Sequence, residues 1–399
     1  MQNQIPNGWQ KVRLARLGKI VTGKTPSTSQ KDLFGSDYPF ITPTDIKDFN
    51  VRRNYSTERY LSDKWAKKSE NMKIPKNSTA FVCIGSTIGK ICLVNQDSFS
   101  NQQINSIITD KENSDPIFIY YLLKYNQKII LREFGGAGAA KPIINKSTFE
   151  SAEVITPKKV DEQKMIASIL STFDDKIELN NKIAKTLEQM ARAIFKEWFV
   201  KNKKSDWKME KLSDLVNIKN GFAFKSADYK ENGVPIVRTM NFTNNKSVIL
   251  DDVVYLSKDD ALKYEDFYLD KFDLLLVMVG ASVGKIAITP STVLPALQNQ
   301  NMWSFKPINK FYRFYINLML EKLINSQKKS TTGSARDFFR KDYFYSLDVL
   351  IPAESVIVDF NKIVEPMYLK IDQILGENQK LAQMRDLLLP KLMKGEIRV

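Results

Sequence analysis

A heptad seam in residues 158–200 constrains the fold of this chain more than any other feature. From Ile166, seam positions recur with alternating gaps of four and three at Leu170, Phe173, Ile177, Asn180, Ala184, Leu187, Ala191, Ile194 and Trp198. Apolar residues at that period, held for more than four heptads, specify a helix packed along a partner helix. The seam returns 194 positions later as Phe360, Val364, Met367, Ile371, Ile374, Asn378, Leu381, Arg385, Leu388 and Leu392. The two copies are expected to pair with each other. A helix of about 40 residues is roughly 60 Å long, far beyond the globular mean of about 11–12 residues. Asn180 and Asn378 lie on the seams, where a buried Asn fixes register rather than doing chemistry. Pro366 has no N–H and its ring crowds the preceding turn, so a break is expected near Glu365. Pro390 and Gly395 mark the fraying end.

The duplication extends well beyond the helices. Gly8-Trp9 with Leu14, Leu17, Ile20 and Gly23 matches Asp206-Trp207 with Leu212, Leu215, Ile218 and Gly221, at an offset of 198. Val82-Cys83-Ile84-Gly85 through Gly89-Lys90-Ile91 matches Val277-Met278-Val279-Gly280 through Gly284-Lys285-Ile286, at 195. Asn101-Gln102 matches Asn299-Gln300, and Phe149 and Pro157 match Phe344 and Pro352. An order kept over the whole chain, with small drifts in offset, means two copies of one unit. Each is a globular head followed by a long helix.

The heads read as α+β. Residues 79–94 run apolar, break at Gly-Ser-Thr-Ile-Gly-Lys and run apolar again, the pattern of a hairpin, and Phe272–Thr289 repeats it. Pro116–Leu131 and Phe311–Ile324 have helical spacing, and β-branched strands close the heads at Val154–Pro157 and Val349–Pro352. The expected division is a first head over 1–157, a central helix over 158–200, a charged linker over 201–205, a second head over 206–352 and a C-terminal helix over 353–399.

A formal charge of +15 points to a polyanion partner, most often nucleic acid. The chain holds two cysteines, Cys83 and Cys92, and no histidine, too few ligands for a structural zinc site. They read as reduced core thiols. No apolar run approaches the roughly 18 residues of a membrane span, and a soluble, cytoplasmic protein is expected. Carboxylates are plentiful, but no thiol–base pair or metal cluster completes a catalytic constellation.

Candidate nucleic-acid contacts fall in matched loops. Gly85-x-x-x-Gly89-Lys90 and Gly280-x-x-x-Gly284-Lys285 have one residue too few for a phosphate loop and lead into a strand. Each reads either as a plain tight turn or as one whose lysine and backbone amides touch DNA phosphates, with Ser86, Lys90, Ser282 and Lys285 in reach. Lys24 and Lys225 stand in the loops after each Trp, and Lys141 and Arg336 end small-residue runs before the last strands. These are either flexible loops or phosphate contacts. Thr42, Thr44 and Asp45 follow one strand, Arg238 and Asn241 its equivalent. Arg reads guanine, Asn reads adenine, and Asp accepts from cytosine. Mismatched pairs, Thr42 against Arg238 and Asp45 against Asn241, would let each head read a different sequence. A solvated turn is the alternative.

Unlike heads alternating with like helices, the paired Trp openings, the paired hairpins and the ending Leu388-Leu389-Pro390-Lys391-Leu392 through Gly395-Glu396-Ile397 resemble one family over essentially the whole chain. It is the DNA-specificity subunit of Type I restriction-modification systems. The resemblance implies two target recognition domains, each reading half of a bipartite double-stranded DNA site. It also implies an antiparallel helix pair that sets their spacing and two methyltransferase subunits docked on the helices. ATP-driven restriction subunits are further partners it admits. S-adenosylmethionine, Mg and ATP are expected in partner subunits, with no cofactor and no catalysis in this chain. A rod of roughly 60 Å spans between one and two turns of B-DNA at about 34 Å per turn. From a different class, a coiled-coil scaffold with two protein-binding heads remains open, and strong sequence preference in DNA binding separates the two.

Overall fold

Trp9 begins the first strand and is buried, and Trp207 is buried just ahead of the matching strand 198 positions later. The computed structural model describes residues 5–46, 52–135, 143–280, 282–330 and 340–399. Contacts divide the chain into two units, one of Met1–Glu178 with Lys380–Val399, the other of Leu179–Gln379. The division falls inside both long helices. Among the described residues no helix is long and apolar enough to cross a membrane.

In the first unit the elements run β1 (Trp9–Arg13), β2 (Gly18–Thr22), β3 (Phe34–Ile41), β4 (Arg53–Asn54), β5 (Arg59–Leu61) and α1 (Asp63–Lys68). Then come β6 (Thr79–Val82), β7 (Ile91–Val94), β8 (Phe99–Ser100), β9 (Ile104–Thr109), α2 (Pro116–Phe134), α3 (Lys146–Ser151), β10 (Glu153–Pro157) and α4 (Val160–Lys196). The sheets are β2-β9-β6-β7-β4, β5-β3-β8 and the ribbon β1-β10. Every residue of β6 and β7 is buried and all but Thr79 are apolar, so these strands do not alternate. They form the hairpin that the sequence pattern predicts, with Phe81 opposite Ile91. Asp115 caps α2 by accepting from the Ile117 and Phe118 amides, with Pro116 in the first turn. Its apolar face packs on Phe81, Leu93 and Ile107 in one core with Leu170 of α4 and Leu392 near the C-terminus.

The second unit repeats the plan with β11 (Lys208–Lys211), β12 (Val216–Asn220), β13 (Val234–Val237), β14 (Val254–Leu256) and α5 (Lys258–Ala261). These lead to β15 (Leu274–Val277), β16 (Ile286–Ile288), β17 (Leu297–Gln298), β18 (Met302–Pro307), α6 (Arg313–Ser330), α7 (Lys341–Ser346), β19 (Asp348–Ile351) and α8 (Glu354–Met393). The sheets are β12-β18-β15-β16, β14-β13-β17 and the ribbon β11-β19. Where β4 pairs in parallel with β7, only a single parallel bridge remains, Ser247 with Ile288.

The helices α4 and α8 run 37 and 40 residues, about 55–60 Å at about 1.5 Å per residue. In the first unit, Arg385 of α8 reaches Asp174 of α4. In the second, Asn180 meets Asn378 and Phe195 meets Phe360. Partner numbers on α8 fall as those on α4 rise, the mark of an antiparallel pair. The two seam asparagines hydrogen-bond to each other at 2.9 Å, and Asn378 also donates to Asn181 at 3.0 Å.

Two helix expectations change. No break occurs at Pro366, because α8 is continuous from Glu354 to Met393. Phe360, Val364 and Tyr368 are buried on either side, and Tyr368 stacks on Phe314 at 4.9 Å. Packing on both flanks outweighs the one backbone bond that proline removes. Nor does the helix fray at Pro390. Leu389, Leu392 and Met393 sit in the first unit's core, and Gly395, at φ +66°, closes the helix by donating to the Leu392 carbonyl.

Candidate nucleic-acid interface

In the first head, β2, β3, β6 and β8 end where β7 and β9 begin, and their loops gather along one edge. The loop after β2 carries Lys24, the turn after β3 carries Thr42–Ile46, and the β6–β7 hairpin carries Ser86–Lys90. A fixed backbone mesh joins them. Lys24 N donates to Ser100 O at 2.9 Å, Asn101 N to Ile41 O at 3.1 Å, and Cys83 N to Gln103 O at 2.7 Å. Gly23 is required there, since a Cβ would lie 2.1 Å from the Ser100 carbonyl.

The second head has the same mesh with different residues. Phe222 N donates to Gln298 O at 3.0 Å, Asn299 N to Val237 O at 3.0 Å, and Met278 N to Asn301 O at 3.1 Å. Gly221 takes the place of Gly23, with the Asn299 carbonyl 1.9 Å from any added Cβ. Side chains outside the mesh diverge. Lys24 is matched by Phe222, and exposed Thr44 by Met240, which is 60% exposed.

The turns after β3 and β13 are rigid because their acidic or amide residue folds back. Asp45 Oδ2 accepts from Thr42 N at 2.8 Å and from the Thr42 hydroxyl at 2.6 Å, and Oδ1 accepts from Glu58 N at 2.8 Å. In the second head, Arg238 N donates to Asn241 Oδ1 at 2.9 Å, and Asn241 Nδ2 donates to Asp251 O at 2.8 Å. Arg238 sends its guanidinium to the Asp252 carbonyl. Base reading needs a free hydrogen-bonding edge, and Thr42, Asp45 and Asn241 are buried. Asp45 and Asn241 thus spend their side-chain hydrogen bonds inside the turn, while half-buried Arg238 spends one N–H on the Asp252 carbonyl. These residues hold the turn, and the exposed tips are Thr44 and Met240. Sequence reasoning passed over Met240, whose signal is its position opposite Thr44 in the repeat.

The hairpin lysines are also spoken for. Lys90 Nζ donates to the Ile46 carbonyl at 2.8 Å and Lys285 Nζ to the Phe242 carbonyl at 2.6 Å, the same bond in each head. Each lysine thereby tethers its hairpin to the turn. Lys24, Ser86, Lys225 and Ser282 are exposed on or beside the edge. Lys141 and Arg336 lie outside the described residues.

A second pair of cations anchors the segments that leave these turns. Arg52, whose side chain is 4% exposed, donates to Glu178 on α4 at 3.0 Å and pairs with Asp175. Burial works against its charge, but the hydrogen bonds that it donates to Glu178 and Asp175 win and raise its pKa. Lys246 pairs with Glu321 on α6, which also accepts from Arg192 of α4 at 3.0 Å. Beside it, burial raises the Glu188 pKa against the pull of Arg192. Both thiols lie beneath the edge, and burial pushes Cys83 and Cys92 up to about 12.

The profile of the Type I restriction modification DNA specificity domain matches the chain twice, over residues 6–189 and 204–365. The Type I restriction enzyme MjaIX specificity subunit of Methanocaldococcus jannaschii is 26% identical over 99% of this chain and 95% of its own length. The HindI specificity subunit of Haemophilus influenzae is 36% identical over 44% of this chain and 38% of its own. The crystal structure of a Type I restriction-modification S subunit from M. genitalium shares the fold, with a TM-score of 0.58 at 19% identity, covering 98% of this chain and 97% of that one. The duplicated heads, the paired helices and these matches place the chain in the Type I restriction-modification DNA specificity family.

Proposed function

We propose that this chain is the specificity subunit of a Type I restriction-modification complex and recognises a bipartite DNA target through its two head edges. The observation that carries this is one backbone mesh built twice with unlike side chains at its surface. A shared frame presents the groove-facing loops alike, and the differences, Thr44 against Met240 and Lys24 against Phe222, make the two half-sites unlike. An apolar tip such as Met240 suits a thymine methyl. The chain is non-catalytic and supplies selection alone.

In this reading two methyltransferase subunits dock on the helix pair and restriction subunits join them, in the cytoplasm. The methyl donor S-adenosylmethionine, Mg and ATP belong to those partners. The helix pair sets the half-site spacing. Co-expression with the methyltransferase subunits, followed by single-molecule methylome sequencing, tests it. A bipartite methylated site is expected, exchange of residues 10–150 should change one half only, and seven residues inserted near Lys185 should lengthen the spacer. A site that ignores both changes would overturn the reading, and absence of any sequence preference would favour a protein-binding scaffold.

A further inference from the structure

Each reading turn continues into a segment that is held at both ends by a cation. In the second head, where all of it is described, the segment leaves Asn241, passes Phe242 and returns through Lys246 to Val248. Phe242 is held from the hairpin by Lys285. Lys246, with φ +54°, donates its side chain to Glu321 while its carbonyl accepts from Ile288 N at 2.8 Å. Glu321 is 11% exposed and is shared with Arg192 of α4. The first head has the same device. Ile46 is held by Lys90, and the Arg52 carbonyl accepts from Leu93 N at 2.7 Å while its guanidinium spans Asp175 and Glu178 of α4.

The repeat therefore keeps a position, a charge and a backbone bond, while changing the acceptor. Arg52 meets the long helix directly, whereas Lys246 meets it through Glu321 and Arg192. Arg52 is buried and Lys246 half-buried, and a merely solvated lysine or arginine would not keep the same backbone partner across two heads that otherwise differ. We infer that Arg52 and Lys246 are positioning residues for DNA reading, each setting its own turn against the helix pair so that the exposed tip meets the groove at a fixed depth. The inference rests on the DNA-specificity reading above. It adds that α4 supports each reading turn within that turn's own unit, directly through Arg52 in the first and by way of Glu321 in the second.

The position of a turn is reported by which bases are selected, whereas a purely structural bond is reported by how much protein survives. The test is made on the complete complex with its methyltransferase subunits, reading the genome-wide methylated site for Arg52→Ala, Arg52→Lys, Lys246→Ala and Lys246→Arg. Arg52→Ala should relax base preference in the first head's half-site and leave the second half and the spacer intact. Lys246→Ala should do the converse, and the two conservative variants should restore most of the preference. Glu178→Gln keeps size and packing and guards against an unfolded Arg52 variant; it should relax the same half as Arg52→Ala. A uniform fall in methylation with both half-sites unchanged would overturn the inference. Wild-type protein that gives no bipartite site would instead overturn the DNA-specificity reading itself.

Discussion

Asp174 Oδ1 accepts from Arg385 Nη1 at 2.5 Å, and both side chains are almost wholly buried in the first unit. Asp174 Oδ2 also accepts from the Tyr121 hydroxyl at 2.6 Å, and Arg385 reaches out to Asp386 at 2.8 Å. Burial, with the Asp174 charge beside it, raises the Tyr121 pKa. Arg385→Ala would leave a buried carboxylate without its cation, at a cost of about 3–5 kcal/mol. Urea unfolding should register that loss. The triple variant Tyr121→Phe, Asp174→Leu, Arg385→Met should recover most of it, because it also removes the hydroxyl that donates to Asp174 and matched apolar groups need no partner.

Gly23→Ala and Gly221→Ala should each loosen one head. The new methyl meets a strand carbonyl about 2 Å away, and relief requires the backbones to part. Overpacking of this kind costs about 1–3 kcal/mol. Hydrogen exchange should rise near residues 98–105 in the first variant and 297–302 in the second, each leaving the other head unchanged.

Lys90→Met and Lys285→Met keep the aliphatic stem and remove the tether to Ile46 or Phe242. Half-exposed charge-assisted bonds of this kind contribute about 1–2 kcal/mol. DNA affinity should fall through a looser turn, while the slope of log affinity against log salt stays within measurement of wild type. A slope smaller by about one would reveal a phosphate contact instead.

Asp372 lies on α8, where its carboxylate accepts from Ser291 N at 2.7 Å and from Lys271 at 2.7 Å. Burial opposes its charge, but the bonds from Lys271 and Ser291 prevail and hold its pKa below 3.8. A depressed folded pKa stabilises at every pH above the unfolded value, and that contribution disappears as pH falls through the folded value. Asp372→Asn should therefore melt below wild type at pH 7, with the gap closing below about pH 4.

Neither Cys83 nor Cys92 should react with iodoacetamide at pH 8 in the folded protein. With thiols pushed up to about 12, almost no thiolate exists there, and both sulfurs are buried. Mass spectrometry after denaturation should find two modified cysteines, and before it none.

Much of this architecture is legible in residue order. The seam period predicts the helix pair, and the paired apolar runs become paired hairpins; that Asn180 and Asn378 bond to each other is seen only in the structure. What stays hidden is which side of a polar residue faces inward. Asp45, Arg238 and Asn241 carry the chemistry of base readers, yet short-range backbone bonds claim them, a choice made by turn geometry rather than residue type. Arg385 sits on an apolar seam because Asp174 waits opposite it, a pairing about 200 positions away that no local pattern reveals. Pro366 misleads for a related reason. Propensity is a local preference, and the aromatic packing that overrides it comes from α6. Arg52 and Lys246 do share an offset of 194, but unlike flanking residues mask the match.

The first unit is discontinuous in the chain, and this sets the order in which the protein can be made. Leu179–Gln379 supply a full core from one uninterrupted stretch, whereas Met1–Glu178 still lack Leu389, Leu392 and Met393. On a ribosome, the later-encoded body can close while the earlier one stays open, the reverse of the usual N-terminal-first order. A nonsense codon in the final twenty positions would therefore strand the half that was translated first.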